Sequence, residues 1–144
     1  MSNINKVCFV CTGNACRSPF AEFVTRNLLN KEGIENIEVF SLGTLNWGKN
    51  PRDEVMVRLA SQMGYELTGT TTHMTREKLM TADCIIVFDE YHRNAITFEL
   101  DYDHWNRIVL FNKIAFDNNE PVEDPNYQSA AVYERVARHI TDYV

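Results

Sequence analysis

Two things are missing from this 144-residue chain: a long apolar run and a basic cluster. A membrane-spanning helix needs about 20 consecutive apolar residues, so no membrane insertion is expected. The formal net charge is −6. Without a local concentration of lysine or arginine, nucleic acid and anionic membrane surfaces are poor partners. Four prolines and six glycines are scattered too thinly to make a linker, and no repeat or low-complexity tract occurs. The four cysteines, at positions 8, 11, 16 and 84, lack the paired spacing of a metal site. No positively charged leader with an apolar core opens the chain, so a disulfide framework is not expected either. The thiols are read as free in a cytoplasmic protein, with Cys8 and Cys84 as core fillers, and neither a metal nor an organic cofactor is required. With 44% hydrophobic residues the chain can build one core and is too short for two ordinary domains, which predicts a single domain over residues 1–144.

Apolar stretches predict strands at Val7 to Val10, Ile37 to Ser41, Cys84 to Phe88 and Ile108 to Phe111. A helix from Pro19 to Glu32 would put Phe20, Val24 and Leu28 on one stripe and stop at Gly33. Helical spacing continues at Asp53 to Met63, Arg76 to Met80, Tyr91 to Phe98 and Gln128 to Asp142, the last with Val132, Val136 and Ile140 aligned. Strands alternating with helices argue for an α/β fold with a parallel sheet. The most loop-like stretches, Asn46 to Arg52 and Asp117 to Asn126, are candidate rims of a site.

The segment Cys11-Thr12-Gly13-Asn14-Ala15-Cys16-Arg17-Ser18-Pro19 falls where the first strand gives way to the first helix. A Cys and an Arg six positions apart are weak evidence alone: with nine arginines and four cysteines, roughly a quarter of such chains would show the spacing by chance. The position gives it meaning, because open parallel sheets bind ligands at the carboxyl ends of their strands. A nucleophile and a guanidinium at the two ends of one phosphate-sized turn suit cysteine-dependent phosphate-ester hydrolysis. The loop from Thr12 through Gly13, Asn14 and Ala15 to Cys16 would collect phosphate oxygens on its backbone N–H groups, and Arg17 would grip two of them through its planar fork. Helix N-terminal N–H groups, Arg17 and the Ser18 hydroxyl all favour the thiolate of Cys11. Ser18 is also a candidate N-cap, with Pro19 at the first helical position. Gly13 and Asn14 are residues that tolerate positive φ. The leaving group needs a proton from elsewhere in the chain. Asp124, in Val122-Glu123-Asp124-Pro125-Asn126-Tyr127, is the candidate, because Pro125 stiffens a loop directly before the last helix. It would protonate the leaving oxygen and then deprotonate the hydrolytic water. A plain turn aspartate is the competing reading.

On these residues the chain resembles the low-molecular-weight protein tyrosine phosphatases over nearly its whole length. Three stretches carry the likeness: the loop with its preceding Val7-Cys8-Phe9-Val10, the segment Ser41-Leu42-Gly43-Thr44, and Glu123-Asp124-Pro125. The resemblance implies a three-layer fold, with a four-stranded parallel sheet flanked by helices and a phosphate-binding loop after the first strand. It implies Cys11 as nucleophile, Arg17 as phosphate binder, Asp124 as general acid and a phosphorylated protein as partner. It further implies that Cys16 can form a reversible, protective disulfide with Cys11, and that Trp47, Asn126 and Tyr127 line the substrate cleft. Asn126 stands where relatives carry the first of an aromatic pair, which reduces the wall that would stack on a phenyl ring. Gly69 stands where relatives often have a histidine bracing the loop asparagine, and His73 does not obviously replace it, so Asn14 lacks an assigned support. Asp89 matches a family aspartate near the loop, and all four histidines, His92 included, read as structural or surface residues.

Some relatives act on phosphoarginine. Ala15, small like the residue typical there but without its hydroxyl, leaves that choice open. Arsenate reductases of this fold need a cysteine pair after the third strand, where only Cys84 is near. A carrier that held phosphate on Cys11 would have no need of Asp124.

Overall fold

The computed structural model describes residues 5–14, 16–46 and 48–111. Strand β1 (Lys6–Cys11) leads into helix α1 (Arg17–Lys31), followed by β2 (Glu38–Gly43), α2 (Glu54–Gln62) and α3 (Arg76–Met80). Then come β3 (Cys84–Val87), α4 (Glu90–Thr97), a 3-10 turn (Tyr102–Arg107) and β4 (Ile108–Leu110). The four strands form one parallel sheet in the order β2-β1-β3-β4.

β1 is buried on both faces, which is why its apolar run is unbroken rather than alternating. Phe9 and Cys11 pack on one side with Phe20, Ala21 and Val24 of α1 and Met56 and Ala60 of α2. Cys8 and Val10 pack on the other with Leu79 of α3 and Ile96 of α4. The result is the expected three-layer α/β fold. Among the described residues no helix is long and apolar enough to cross a membrane.

Boundaries differ from expectation where tertiary contacts override local signals. α1 starts at Arg17 with Cys16 as N-cap, so Ser18 is not the cap and Pro19 lies third in the helix. A proline there is still inside the first turn, where its missing N–H would have had no intrahelical partner. Leu28 is 38% exposed: late in α1 it is Leu29, one position on, that packs against the core. Gly33, with φ 72°, ends the helix as expected. β2 runs to Gly43 because Leu42 and Gly43 pair with Val10 and Cys11. Cys84 is only partly buried at the start of β3, a half-filled role in the core. The 3-10 turn was not anticipated; the Trp105 indole N–H donates to the Leu100 carbonyl at 2.9 Å and anchors it. α2, α3 and α4 are each capped by a side chain, from Asp53, Thr75 and Asp89 respectively. The expected last helix and the Asp117 to Asn126 loop lie outside the described residues.

β1 has β2 on one side and β3 on the other, so successive connections leave it in opposite directions and open a crevice at its carboxyl end. Cys11 is placed there. Gly43, its partner in register, also closes on the loop beyond. A Cβ at Gly43 would lie 2.9 Å from the Thr12 carbonyl oxygen and 3.0 Å from both N and Cβ of Asn14. Backbone atoms cannot swing aside as a flexible side chain can. Gly43→Ala is expected to lower the unfolding free energy by about 1–3 kcal/mol, read from urea denaturation. An unchanged midpoint would contradict the close approach.

Candidate active site

Cys11 reaches the end of β1 with 2% of its surface exposed. Just past it, the N–H groups of Thr44 and Leu45 donate to the carbonyls of Cys11 and Thr12, each at 2.9 Å. In a trans peptide the N–H points opposite to the C=O it is joined to. The N–H groups of Thr12 and Gly13 are therefore turned toward the other side of the loop, as an anion-collecting turn requires. At the far end, Cys16 caps α1 and Arg17 opens it, so helix N-terminal N–H groups meet the loop where an anion is favoured. Arg17 is 4% exposed, a guanidinium kept in the interior rather than displayed on the surface.

The sulfur of Cys11 lies 3.0 Å from the Ser18 hydroxyl oxygen, and the Ser18 N–H donates to it at 3.5 Å. The Ser18 hydroxyl carries one proton and two acceptor positions. Ser18 Oγ accepts from Asn14 Nδ2 at 2.9 Å. Its own single proton then goes to Cys11 Sγ or to the Leu42 carbonyl, which is farther, at 3.4 Å. A hydroxyl donating to sulfur stabilises a thiolate.

Asn14 is fully buried with φ 55°, the left-handed region that asparagine enters more readily than most residues. Its carboxamide is saturated. Nδ2 donates to Ser18 and, at 2.8 Å, to Ser41. Oδ1 accepts from Arg52 Nη1 at 2.7 Å and from the Thr72 N–H at 2.8 Å. Arg52 and a peptide N–H can only donate, so the amide cannot be turned the other way. Ser41, accepting from Asn14, in turn donates to Glu22 Oε1 at 2.6 Å. Glu22 is 5% exposed, and its other oxygen is paired with Arg26 at 2.7 Å.

The expected site residues Cys11, Thr12, Gly13, Asn14, Cys16, Arg17 and Ser18 are thus brought into one loop. Ala15, Trp47, Asp124, Asn126 and Tyr127 lie outside the described residues. Glu22 and Arg52 escaped sequence reasoning, while Ser41 was marked only as part of a family-like segment and His92 only as structural or surface. Glu22 and Arg26 form an i,i+4 pair that reads as a solvated surface pair, and only the packing shows the carboxylate to be buried. His92, 2% exposed, places Nε2 3.0 Å from Thr12 Oγ1, a structural role tied to the loop. Asp89, the family aspartate, acts as the cap of α4 by accepting from the Tyr91 N–H at 3.0 Å.

A parallel α/β sheet with a cysteine loop of this kind at its switch point is built to hold an anion beside a thiol. The family model for low molecular weight phosphotyrosine protein phosphatase matches residues 6–144, and the chain belongs to that family. It is 38% identical over 134 residues to a low molecular weight phosphotyrosine protein phosphatase of Pongo abelii, covering 90% of this chain and 85% of that one. A protein-arginine-phosphatase of Bacillus subtilis is 24% identical over 129 residues, covering 90% and 85%. Among solved structures, a low molecular weight phosphotyrosine phosphatase of Vibrio cholerae superposes with a TM-score of 0.88 at 29% identity, covering 96% of this chain and 90% of that one.

Cys8, Cys11 and Cys84 are free thiols. Burial pushes the Cys8 thiol well above its ordinary range, with Glu22 and Cys84 adding to the effect. Cys84 is raised by its own burial and by Asp83. A raised thiol stays protonated at neutral pH and reacts slowly. Under native conditions iodoacetate at pH 7 is expected to leave Cys8 and Cys84 unmodified while Cys11 is alkylated, by peptide mass spectrometry. Ser18→Ala should slow alkylation of Cys11 on the order of tenfold, the worth of one hydrogen bond to a charged group. An unchanged rate would show that the hydroxyl proton points elsewhere.

Proposed function

We propose that the protein dephosphorylates phosphotyrosine in protein substrates through a phosphocysteine on Cys11, with Arg17 binding the phosphate and Asp124 as general acid and base. The observation that carries this reading is the 3.0 Å contact between Cys11 Sγ and the Ser18 hydroxyl, which Asn14 also engages. The thiolate attacks phosphorus, an S–P bond forms and the P–O bond to the tyrosine oxygen breaks. Asp124 gives its proton to that leaving oxygen. Water then attacks phosphorus and passes a proton to the Asp124 carboxylate, the S–P bond breaks, and inorganic phosphate leaves with the thiolate restored. Thr12, Gly13, Asn14, Ala15 and Cys16 form the loop around the phosphate, and Trp47, Asn126 and Tyr127 the cleft that receives the ring. Cys16 serves as the redox partner of Cys11, a role supported by two cysteines bounding one short loop. The free thiols of Cys8, Cys11 and Cys84 also fit a reducing, cytoplasmic compartment.

Phosphoarginine is the second reading. It is supported by the match to the protein-arginine-phosphatase of Bacillus subtilis over 90% of this chain and by a small residue, Ala15, in the loop. Wild type is expected to turn over phosphotyrosine peptides with the higher kcat/KM, and a phosphoarginine peptide preferred by more than about tenfold would reverse the assignment. Cys11→Ser should abolish turnover of p-nitrophenyl phosphate. Asp124→Asn should cut kcat by about 10²–10⁴ on phosphotyrosine, and by less on p-nitrophenyl phosphate, whose leaving group needs a proton least. Equal losses on both substrates would remove Asp124 from the acid role.

A further inference from the structure

We propose that Arg52 is a positioning residue of the phosphate loop, bracing Asn14 from behind through the space that Gly69 leaves open. The phosphate loop must hold one buried asparagine at positive φ, a conformation that costs on the order of 1–2 kcal/mol outside glycine and persists only where the surroundings enforce it. Arg52 Nη1 supplies that enforcement by donating to both the backbone carbonyl and Oδ1 of Asn14, while its Nε donates to the Thr68 carbonyl at 3.3 Å. One planar, donor-only group therefore fixes the backbone and the side chain of the same residue.

Gly69 and Arg52 are complementary. Gly69 has φ 87°, and a Cβ built on it would meet Arg52 Nη2 at 3.5 Å and Nε at 4.0 Å. The guanidinium lies against the open face of the glycine, where any longer side chain would compete for its place. Arg52 itself is held in advance of any substrate. The segment before it is zipped to residues 70–71: Thr71 N–H donates to the Asn50 carbonyl at 2.7 Å, Thr71 Oγ1 donates to the Gly48 carbonyl at 2.8 Å, and Pro51 pairs with Thr70. The residue after it, Asp53, caps α2 through the N–H groups of Val55 and Met56. Burial draws the guanidinium pKa down from its ordinary value, with Glu22 and Cys11 acting in the opposite sense. An arginine remains protonated throughout the working range. The brace is thus a permanent charge, where an imidazole would titrate.

The inference rests on the phosphatase reading for its turnover assay, so the test also measures phosphate binding, which needs no turnover. Wild type, Arg52→Met and Arg52→Lys, each as the full chain, are compared in three ways. These are protection of Cys11 from iodoacetate by inorganic phosphate, kcat and KM on p-nitrophenyl phosphate, and urea denaturation. Arg52→Met is expected to weaken phosphate protection and lower kcat by about tenfold or more, beyond any change explained by unfolding. Arg52→Lys, with one ammonium for three acceptors, should fall between Arg52→Met and wild type. Phosphate protection and kcat within about twofold of wild type in either folded variant would overturn the proposal, and if Arg52→Met does not fold, Arg52→Lys alone decides. Equal losses in the two variants would also overturn it, since the packing of a long side chain rather than its hydrogen bonds would then be responsible. A wild type that binds phosphate without turning over p-nitrophenyl phosphate would count against the phosphatase reading and leave the comparison of phosphate protection intact.

Discussion

One carboxamide holds the site together. Asn14 spends both protons of Nδ2 and both acceptor positions of Oδ1 inside the protein, and each partner comes from a different part of the chain: α1, β2, and the segments before α2 and before α3. A buried amide with any of these unmet would cost about 1–3 kcal/mol per orphaned group. Conversely, once all are met, the loop has no inexpensive alternative conformation. The sheet and helices do for Asn14 what a rigid mould does for a casting: they fix where its four partners stand.

The polarity of the network is decided at its ends. Glu22 is acceptor-only and Arg52 is donor-only, so every group between them has its proton assigned. Ser41 must donate to Glu22 and therefore accepts from Asn14. Asn14 must accept from Arg52 and therefore donates to Ser18. Ser18 has one proton left, and the nearer acceptor is the sulfur of Cys11. A buried carboxylate on α1, which would be a liability alone, becomes the terminus that orients the chain of hydrogen bonds because Arg26 neutralises it. Neighbouring hydrogen bonds polarise one another in so enclosed a site, and the network ends on the Ser18 hydroxyl beside the Cys11 sulfur.

Much of this was legible in the sequence because it is local. The run Val7 to Val10, the Gly33 stop and the Cys11 to Arg17 loop announce themselves within a few residues, and the strand–loop–helix order gives the sheet and its switch point. What was not legible is set by distance. The length of β2 depends on pairing with Cys11, and Gly43 is a poor strand former on its own. Ser18 reads both as a hydroxyl beside the Cys11 sulfur and as the helix cap; the hydroxyl does lie against the sulfur, but the cap position falls to Cys16. The brace on Asn14 comes from 38 positions away, in a Pro-Arg-Asp turn that reads as exposed loop. Periodicity put Leu28 on the core stripe, but the packing face has shifted by one residue there, to Leu29.

Charge makes the same point about scale. The molecule carries a net charge of −6, yet the part of it proposed to receive a dianion contains two buried or half-buried guanidiniums, Arg17 and Arg52, together with a helix N-terminus. Exposed charges more than about 8–10 Å away are screened by physiological salt, whereas groups inside the loop act through a medium of low polarisability on whatever it encloses. Surface charge therefore bears on which proteins can approach, and the buried guanidiniums on whether a phosphate is held once it arrives. Glu22, a buried acidic residue among those described, is paired with Arg26, and its hydrogen bond is delivered to Ser41 rather than to the loop backbone. An anion site inside an acidic protein is therefore a matter of which charges are buried, and with which partners, more than of how many there are.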